Sequence, residues 1–169
     1  MGWGQLAAAS GLAGVTFNHH DELPDIAAAI RYVRANAARL GIDGKRLCVA
    51  SYSAGVHPTM LTALKGSAGP LRCAVAYYGW LDAGLPQLSP VTHLKAGSLP
   101  ILIAKAGADV PALNHSIDAF VAKARKVNAP VELLVHKTGP HAFDVALPGA
   151  RSRAIMQRTL AFLRLHLLQ

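Results

Sequence analysis

Apolar residues along this chain form short continuous runs, and segments with helical spacing lie between most of them. The runs cover residues 12–17, 47–51, 73–78, 101–106 and 131–136. Runs of this length that end at turn residues are typical of strands. Because they are continuous rather than alternating, they indicate strands that are buried on both faces of a sheet. The pattern predicts about five strands.

The intervening segments repeat apolar residues every three or four positions. One begins at Asp21 and Pro24 and ends at Gly41, and a shorter one covers residues 56–64. Two later helical stripes consist of Leu113, Ile117, Phe120, Val121, Ala124 and Val127, and of Ile155, Leu160, Leu163 and Leu167. Strands separated by helices form βαβ units. The sequence therefore predicts an α/β fold, a doubly wound and mostly parallel sheet with helices on both faces.

Residues 1–169 are predicted to form a single domain, because the chain has no linker and its length suits one core. The stretch 81–98 is rich in Gly and Pro and is predicted to be a loop that passes over the sheet edge.

Composition narrows the class of protein further. Hydrophobic residues make up 52% and charged residues 15% of the chain, which excludes a disordered protein. No apolar run approaches the roughly 18 residues that span a bilayer, so we expect a soluble protein without a membrane partner. The first residues lack the basic and apolar regions of a signal peptide, which favours a cytoplasmic location. Cys48 and Cys73 lie in apolar runs without CxxC spacing and are predicted to be reduced core thiols.

The formal net charge of +8 raises the question of a nucleic-acid partner. The arginines and lysines, however, are spread over several helical segments without interleaved aromatic residues, which is typical of solvated helix faces. We therefore predict no nucleic-acid binding. His19 and His20 would point to opposite faces of an extended chain, so no metal site is predicted.

Candidate catalytic residues follow the carboxyl ends of the predicted strands, where ligands of such sheets bind. The run ending at position 51 is followed by Ser53, the run ending at 106 by Asp109, and the run ending at 136 by His141. Asp82, which follows the run 73–78, is an alternative acid. A serine, an acid and a histidine in this order are the residue types of a nucleophilic triad.

The stretch VASYSAGVHP passes from a buried strand to a helix without an ordinary loop. Small residues, Ser51 and Gly55, lie two positions on either side of Ser53, so that neighbouring backbone can approach a tight turn. Pro58 falls in the first turn of the helix, where its missing N–H costs nothing. Such a strand-to-helix turn exposes a serine oxygen and is called a nucleophile elbow. The alternative is that Ser53 is an ordinary helix cap.

The segments SYSAG at 51–55, AGAD at 106–109 and GPHAFD at 139–144 resemble the α/β-hydrolase superfamily, especially its dienelactone hydrolase-like branch. The resemblance covers the chain from about residue 12 to the last helix. It implies Ser53 as nucleophile, Asp109 as acid, His141 as general base and the Ala54 amide as an oxyanion-hole donor. It also implies a serine hydrolase that cleaves small carboxylic esters or lactones through an acyl-enzyme, without a cofactor.

Three aromatic residues follow the predicted strands near these positions: Tyr52, Tyr78 and Trp80. They either line an acyl or alcohol pocket or pack in the core.

The family's earlier strands and the loop with its second oxyanion donor have no counterpart in this sequence, which therefore resembles a truncated α/β-hydrolase fold. Either the run 12–17 pairs directly with 47–51, or an unpaired sheet edge recruits a second copy. We expect a homo-oligomer through this edge and slow turnover. The competing hypothesis is a non-catalytic domain that acts as a binding or oligomerisation module.

Overall fold

The computed structural model describes residues 2–18 and 20–168. Its helices are Trp3–Ala9 (α1), Glu22–Ala35 (α2), Val56–Lys65 (α3), Pro111–Lys126 (α4), Phe143–Ala146 (α5) and Ala150–Leu167 (α6). Its strands are Cys48–Tyr52 (β1), Cys73–Tyr77 (β2), Ile101–Ala106 (β3) and Val131–His136 (β4). Within the described ranges, no helix is both long and apolar enough to cross a bilayer.

The four strands form one parallel sheet in the order β1-β2-β3-β4. Each strand is therefore hydrogen-bonded to its successor along the chain. The segment between two successive strands provides the long crossover that a parallel pair needs. This segment contains a helix between β1 and β2 and between β3 and β4. The predicted α/β class and parallel sheet are confirmed, with four strands rather than about five.

Helices cover both faces of this sheet. On one face, α3 and α4 pack against side chains of β2 and β3 such as Ala74 and Ile103, with α2 beside α3. On the other face, α6, α5 and residues of α1 pack against the alternate side chains, among them Val75 and Leu102. β2 is buried at every position, because side chains on both of its faces meet a helix layer.

The predicted strand at residues 12–17 is wrong, since residues 12–18 form no regular element. Leu12 is buried against α6, whereas Val15 and Phe17 line a groove between α2 and the outer edge of β1. The segment thus passes from one sheet face to the other instead of running along β1. A six-residue apolar run becomes a strand when a neighbour pairs with its backbone, and β1 does not do so here. Ala50, in the middle of β1, is exposed.

The segment 81–98 forms two short 3₁₀ turns, Pro86–Leu88 and Pro90–His93. The predicted position of this segment over the sheet edge is wrong. Leu81 and Leu94 are buried in the core, and the second turn contacts α3 and α4. These two leucines anchor the segment on the helix layer because they bury apolar surface there.

Cys48 and Cys73 form a disulfide with a Cα–Cα distance of 4.8 Å, so the prediction of two reduced thiols is wrong. The two residues are register partners at the start of β1 and β2. Cysteine spacing in the sequence does not reveal such register, because directly opposed residues can have any separation along the chain.

Several arginines are hydrogen-bonded to backbone carbonyl oxygens rather than to carboxylates. Arg34 donates to the Pro70 oxygen at 2.6 Å, and Arg164 donates to the Ser10 oxygen at 2.6 Å. Arg151 donates to the carbonyl oxygen of Val135. These contacts tie α2 and α6 to adjacent loops and to β4.

The disulfide generates a stability prediction. Closing a loop of 25 residues stabilises a domain by about 3 kcal/mol, because the cross-link restricts the unfolded chain. The double variant Cys48→Ala/Cys73→Ala should lose about this much free energy of unfolding in urea titrations. Intact mass under non-denaturing oxidised conditions should be two hydrogens lighter than after reduction. Equal masses, or a double variant as stable as the parent, would contradict the bond.

β1 lies at an open edge of the sheet, and the homo-oligomer through this edge stays a prediction. Unpaired strand N–H and C=O groups beside an apolar groove favour addition of another strand. Light scattering should report a dimer or larger species. Ala50→Pro should shift the mass toward the monomer, because the Ala50 N–H faces away from β2 and proline lacks this donor. A monodisperse monomer at high protein concentration would contradict it.

Candidate active site

Ser53 lies at a sharp turn between β1 and α3. β1 ends at Tyr52, a 3₁₀ turn covers Ser53–Gly55, and α3 begins at Val56. Ser53 has a φ of 52°, in the left-handed region that residues with a Cβ rarely occupy. A strained residue of this kind persists only where the surrounding packing holds it.

Gly79 provides that packing. A Cβ at this position would overlap the Val56 side chain and lie 2.5 Å from the carbonyl oxygen of Ser53. The end of β2 therefore approaches the turn as closely as backbone permits. The sequence instead predicts this close approach at the small residues 51 and 55.

That assignment is wrong for Gly55, since a Cβ there would meet nothing within 4 Å. Ser51 does lie in a confined place, because it is buried and its hydroxyl donates to the Val75 oxygen at 3.2 Å. A glycine directly after a strand end, as in YYGW at 77–80, was the available signal for the missed contact.

Ser53, His141 and Asp109 form a continuous chain of hydrogen bonds. The Ser53 Oγ lies 2.7 Å from His141 Nε2, and His141 Nδ1 lies 2.6 Å from Asp109 Oδ2. A carboxylate accepts, so Nδ1 carries the proton and Nε2 is left as the acceptor for the serine O–H. The Asp109 side chain is 6% exposed and that of His141 is 42% exposed. The arrangement can deprotonate Ser53 at a site that is open to solvent.

The loops that carry the acid and the histidine are joined through backbone. The Ala108 N–H donates to the Gly139 oxygen at 3.0 Å. A Cβ on Gly107 would overlap the Lys137 carbonyl oxygen, and one on Gly139 would lie 2.5 Å from the buried His136 ring. Both loops therefore pack without side chains at their contact points, which brings Asp109 and His141 together.

Asp82, the alternative acid, holds its own loop. Its carboxylate accepts from the Gly84 amide at 3.0 Å and from the Ser89 hydroxyl at 2.8 Å. These two hydrogen bonds, the backbone one foremost, lower the pKa of Asp82. The carboxylate that contacts His141 is that of Asp109.

The three aromatic candidates have different surroundings. Tyr52 packs against Trp3 and Tyr77 at centroid distances of 5.6 and 5.2 Å, and burial raises its pKa. Tyr78 is buried with its ring centroid 4.8 Å from that of His141. Trp80 is 41% exposed and directly follows Gly79. Tyr52 and Tyr78 thus belong to one aromatic cluster, and Tyr78 also contacts the His141 ring.

The Ala54 amide, the expected oxyanion-hole donor, follows Ser53 in the turn that leads into α3. Amides at a helix N-terminus favour a negatively charged oxygen, because the helix dipole is positive there. Ala54 is exposed, so a ligand at the serine can reach it.

Comparison with known proteins adds a family match over part of the chain. Residues 16–79, which include Ser53, match the BD-FAE family model, an α/β-hydrolase-type esterase family. A segment of 39 residues is 46% identical to endo-1,4-beta-xylanase B of Butyrivibrio fibrisolvens and covers 23% of this chain and 6% of that protein. The proposed dienelactone hydrolase-like branch remains a hypothesis.

Solved structures with the same fold include a truncated form of a carbohydrate esterase from gut microbiota. It has a TM-score of 0.82 and 17% identity over 96% of this chain and 77% of that chain. Esterase 2 of Thermogutta terrifontis, phosphorylated by paraoxon, has a TM-score of 0.72 and 23% identity over 83% of this chain. This chain spans 61% of that esterase. At these identities, the likeness establishes the fold.

Gly79→Ala tests whether the end of β2 holds the serine turn. Because the added methyl group overlaps Val56 and approaches the Ser53 oxygen, we expect a loss of about 1–3 kcal/mol in the free energy of unfolding. The matched control is Gly55→Ala, where the methyl group meets open space at an αR backbone. Urea titration should show the control within about 0.5 kcal/mol of the parent. Equal losses in both variants would contradict the assignment.

Proposed function

We propose that this protein is a serine hydrolase that cleaves carboxylic esters through an acyl-enzyme on Ser53. The observation that supports this most directly is the hydrogen-bonded chain Ser53–His141–Asp109, with distances of 2.7 and 2.6 Å. The left-handed φ of Ser53 adds support, because it is the backbone feature of a nucleophile elbow.

In the proposed mechanism, His141 Nε2 accepts the Ser53 proton as Oγ attacks the ester carbonyl carbon. The Ala54 amide donates to the resulting oxyanion, and Asp109 stabilises the imidazolium and its orientation. His141 then gives the proton to the departing alcohol, which leaves an acyl group on Ser53. Water, deprotonated by the same histidine, attacks this acyl group and releases the acid.

For the substrate, we propose small carboxylic esters or lactones, and among them esters whose alcohol part is a carbohydrate. The esterase family match, the carbohydrate esterase of similar fold and the short identity to a xylanase support this class. The exposure of His141 and Ala54 also supports it, because an open site admits an ester carried on a larger molecule.

The disulfide changes the expected location. We propose that the protein works in an oxidising compartment, since disulfides persist there and are rare in the cytoplasm. The cytoplasmic expectation relied on the first residues alone, whereas the disulfide is a feature of the sheet.

Ser53→Ala and His141→Ala should each abolish hydrolysis of p-nitrophenyl acetate to a similar depth, because triad residues act as a unit. Asp109→Asn should lower kcat strongly by favouring the wrong histidine tautomer. Asp82→Asn is the matched control for the alternative acid and should retain activity. Full activity in Ser53→Ala would contradict the proposal, and loss in Asp82→Asn with retention in Asp109→Asn would reassign the acid.

A fluorophosphonate probe distinguishes the enzyme from the non-catalytic alternative even if turnover is slow. Mass spectrometry should find stoichiometric labelling at Ser53 and none in His141→Ala. An unlabelled, folded parent protein would favour a binding or oligomerisation module.

A further inference from the structure

Asp144 joins two distant parts of the chain beside the candidate active site. Its Oδ2 accepts from the Trp3 indole N–H at 2.7 Å, and its Oδ1 accepts from the Tyr78 hydroxyl at 2.5 Å. The donors come from α1 and from the end of β2, while Asp144 lies on α5, three residues after His141. Each carboxylate oxygen thus has one donor, which fixes the side chain in a half-buried position.

Tyr78 links this carboxylate to the histidine. Its buried ring lies 4.8 Å from the His141 ring, centroid to centroid, at an interplanar angle of 58°. Its own backbone is held at the strand end, where its N–H donates to the Ala104 oxygen at 2.9 Å. The φ of Tyr78 is 38°, a second left-handed residue beside the site. The tyrosine therefore presents a fixed aromatic surface to the imidazole.

His141 needs such a surface because its side chain is 42% exposed. Hydrogen bonds to Ser53 and Asp109 hold its two nitrogens, but they leave the ring free to tilt about the line that joins them. The residue that follows it, Ala142, is itself left-handed with a φ of 59°, and Phe143 is fully buried. The backbone is thus anchored on either side of the histidine, at Gly139 and at Phe143, and Tyr78 restrains the ring itself.

The phenol keeps its donor role over the working pH range. Burial, and then the hydrogen bond and negative charge of Asp144, raise the pKa of Tyr78 above its ordinary value. The hydroxyl stays protonated and continues to donate to Asp144.

α1 depends on the same contact. It has seven residues, none of them buried, and Trp3 attaches it through ring contacts with Tyr52 and Tyr77 at 5.6 and 5.4 Å. The indole N–H of this anchoring side chain is the one that Asp144 accepts.

We propose that Tyr78, Asp144 and Trp3 are positioning residues that hold the His141 ring in its productive orientation. Tyr78 acts through its contact with the imidazole ring, and Asp144 and Trp3 act through Tyr78 and its hydrogen bond. The proposal rests on the proposed function, because it assigns these residues to the efficiency of the Ser53 reaction. It also means that α1, at the other end of the sequence, contributes to the orientation of the histidine.

Tyr78→Phe tests this with the least change, since it keeps the ring against His141 and removes the bond to Asp144. We expect kcat for p-nitrophenyl acetate to fall about tenfold, because small misplacements of a catalytic group are costly, with KM changed less than about twofold. Asp144→Asn, which cannot accept on both atoms, should behave alike, and Trp3→Phe should lower kcat about threefold. Tyr77→Phe is the matched control, because its hydroxyl bonds to Thr159 at 2.6 Å, outside this network.

A measurement independent of activity accompanies the kinetics. The proton on His141 Nδ1 should give a downfield ¹H NMR signal that disappears in His141→Ala. We expect this signal to be sharp in the parent and in Tyr77→Phe, and broadened in Tyr78→Phe and Asp144→Asn as the ring becomes mobile. The proposal would be overturned if Tyr78→Phe and Asp144→Asn fold and have the kcat and signal width of Tyr77→Phe. A parent protein without the signal would overturn it as well. If the parent neither turns over esters nor labels at Ser53, the proposed function fails, and the signal widths still decide the positioning role.

Discussion

The arrangement of the site depends on one backbone constraint, the left-handed turn at Ser53. A serine in this conformation is held by contact rather than by preference, and the contact is with Gly79 at the end of the neighbouring strand. Because β1 and β2 are hydrogen-bonded in register, the position of Gly79 relative to Ser53 is set by the sheet itself. The direction in which the serine oxygen points is therefore a property of strand pairing.

The same principle extends to the other two residues. Asp109 and His141 follow β3 and β4, which pair over six residues up to Ala106 and His136. Immediately beyond this pairing, glycines 107 and 139 let the two loops touch, and the Ala108 N–H closes the contact. Parallel strands of matched length thus deliver both loops to one place, and the absence of side chains at the contact lets the acid reach the histidine.

Much of this could be predicted from the sequence, and the failures have physical reasons. β3 and β4 have the predicted bounds because their apolar runs are continuous and end at turn residues. The run 12–17 has a similar composition, but no strand pairs with its backbone, and composition does not determine which segments pair. The disulfide depends on register between strands, and the Trp3–Asp144 bond joins residues 141 positions apart. Proximity of Ser53, Asp109 and His141 was predictable because each follows a strand, whereas their catalytic roles stay predictions.

The pairing of arginines with backbone carbonyls has an electrostatic consequence for the whole molecule. A carbonyl oxygen satisfies the guanidinium as a hydrogen-bond acceptor but adds no negative charge, so the excess of 17 Lys and Arg over 9 Asp and Glu is not neutralised locally. With a sequence pI of about 9.9, the molecule carries positive charge throughout the physiological pH range. At low ionic strength this charge opposes the association of two copies and attracts polyanionic surfaces. Its adsorption to an acidic matrix will weaken as added salt shortens the range of that attraction.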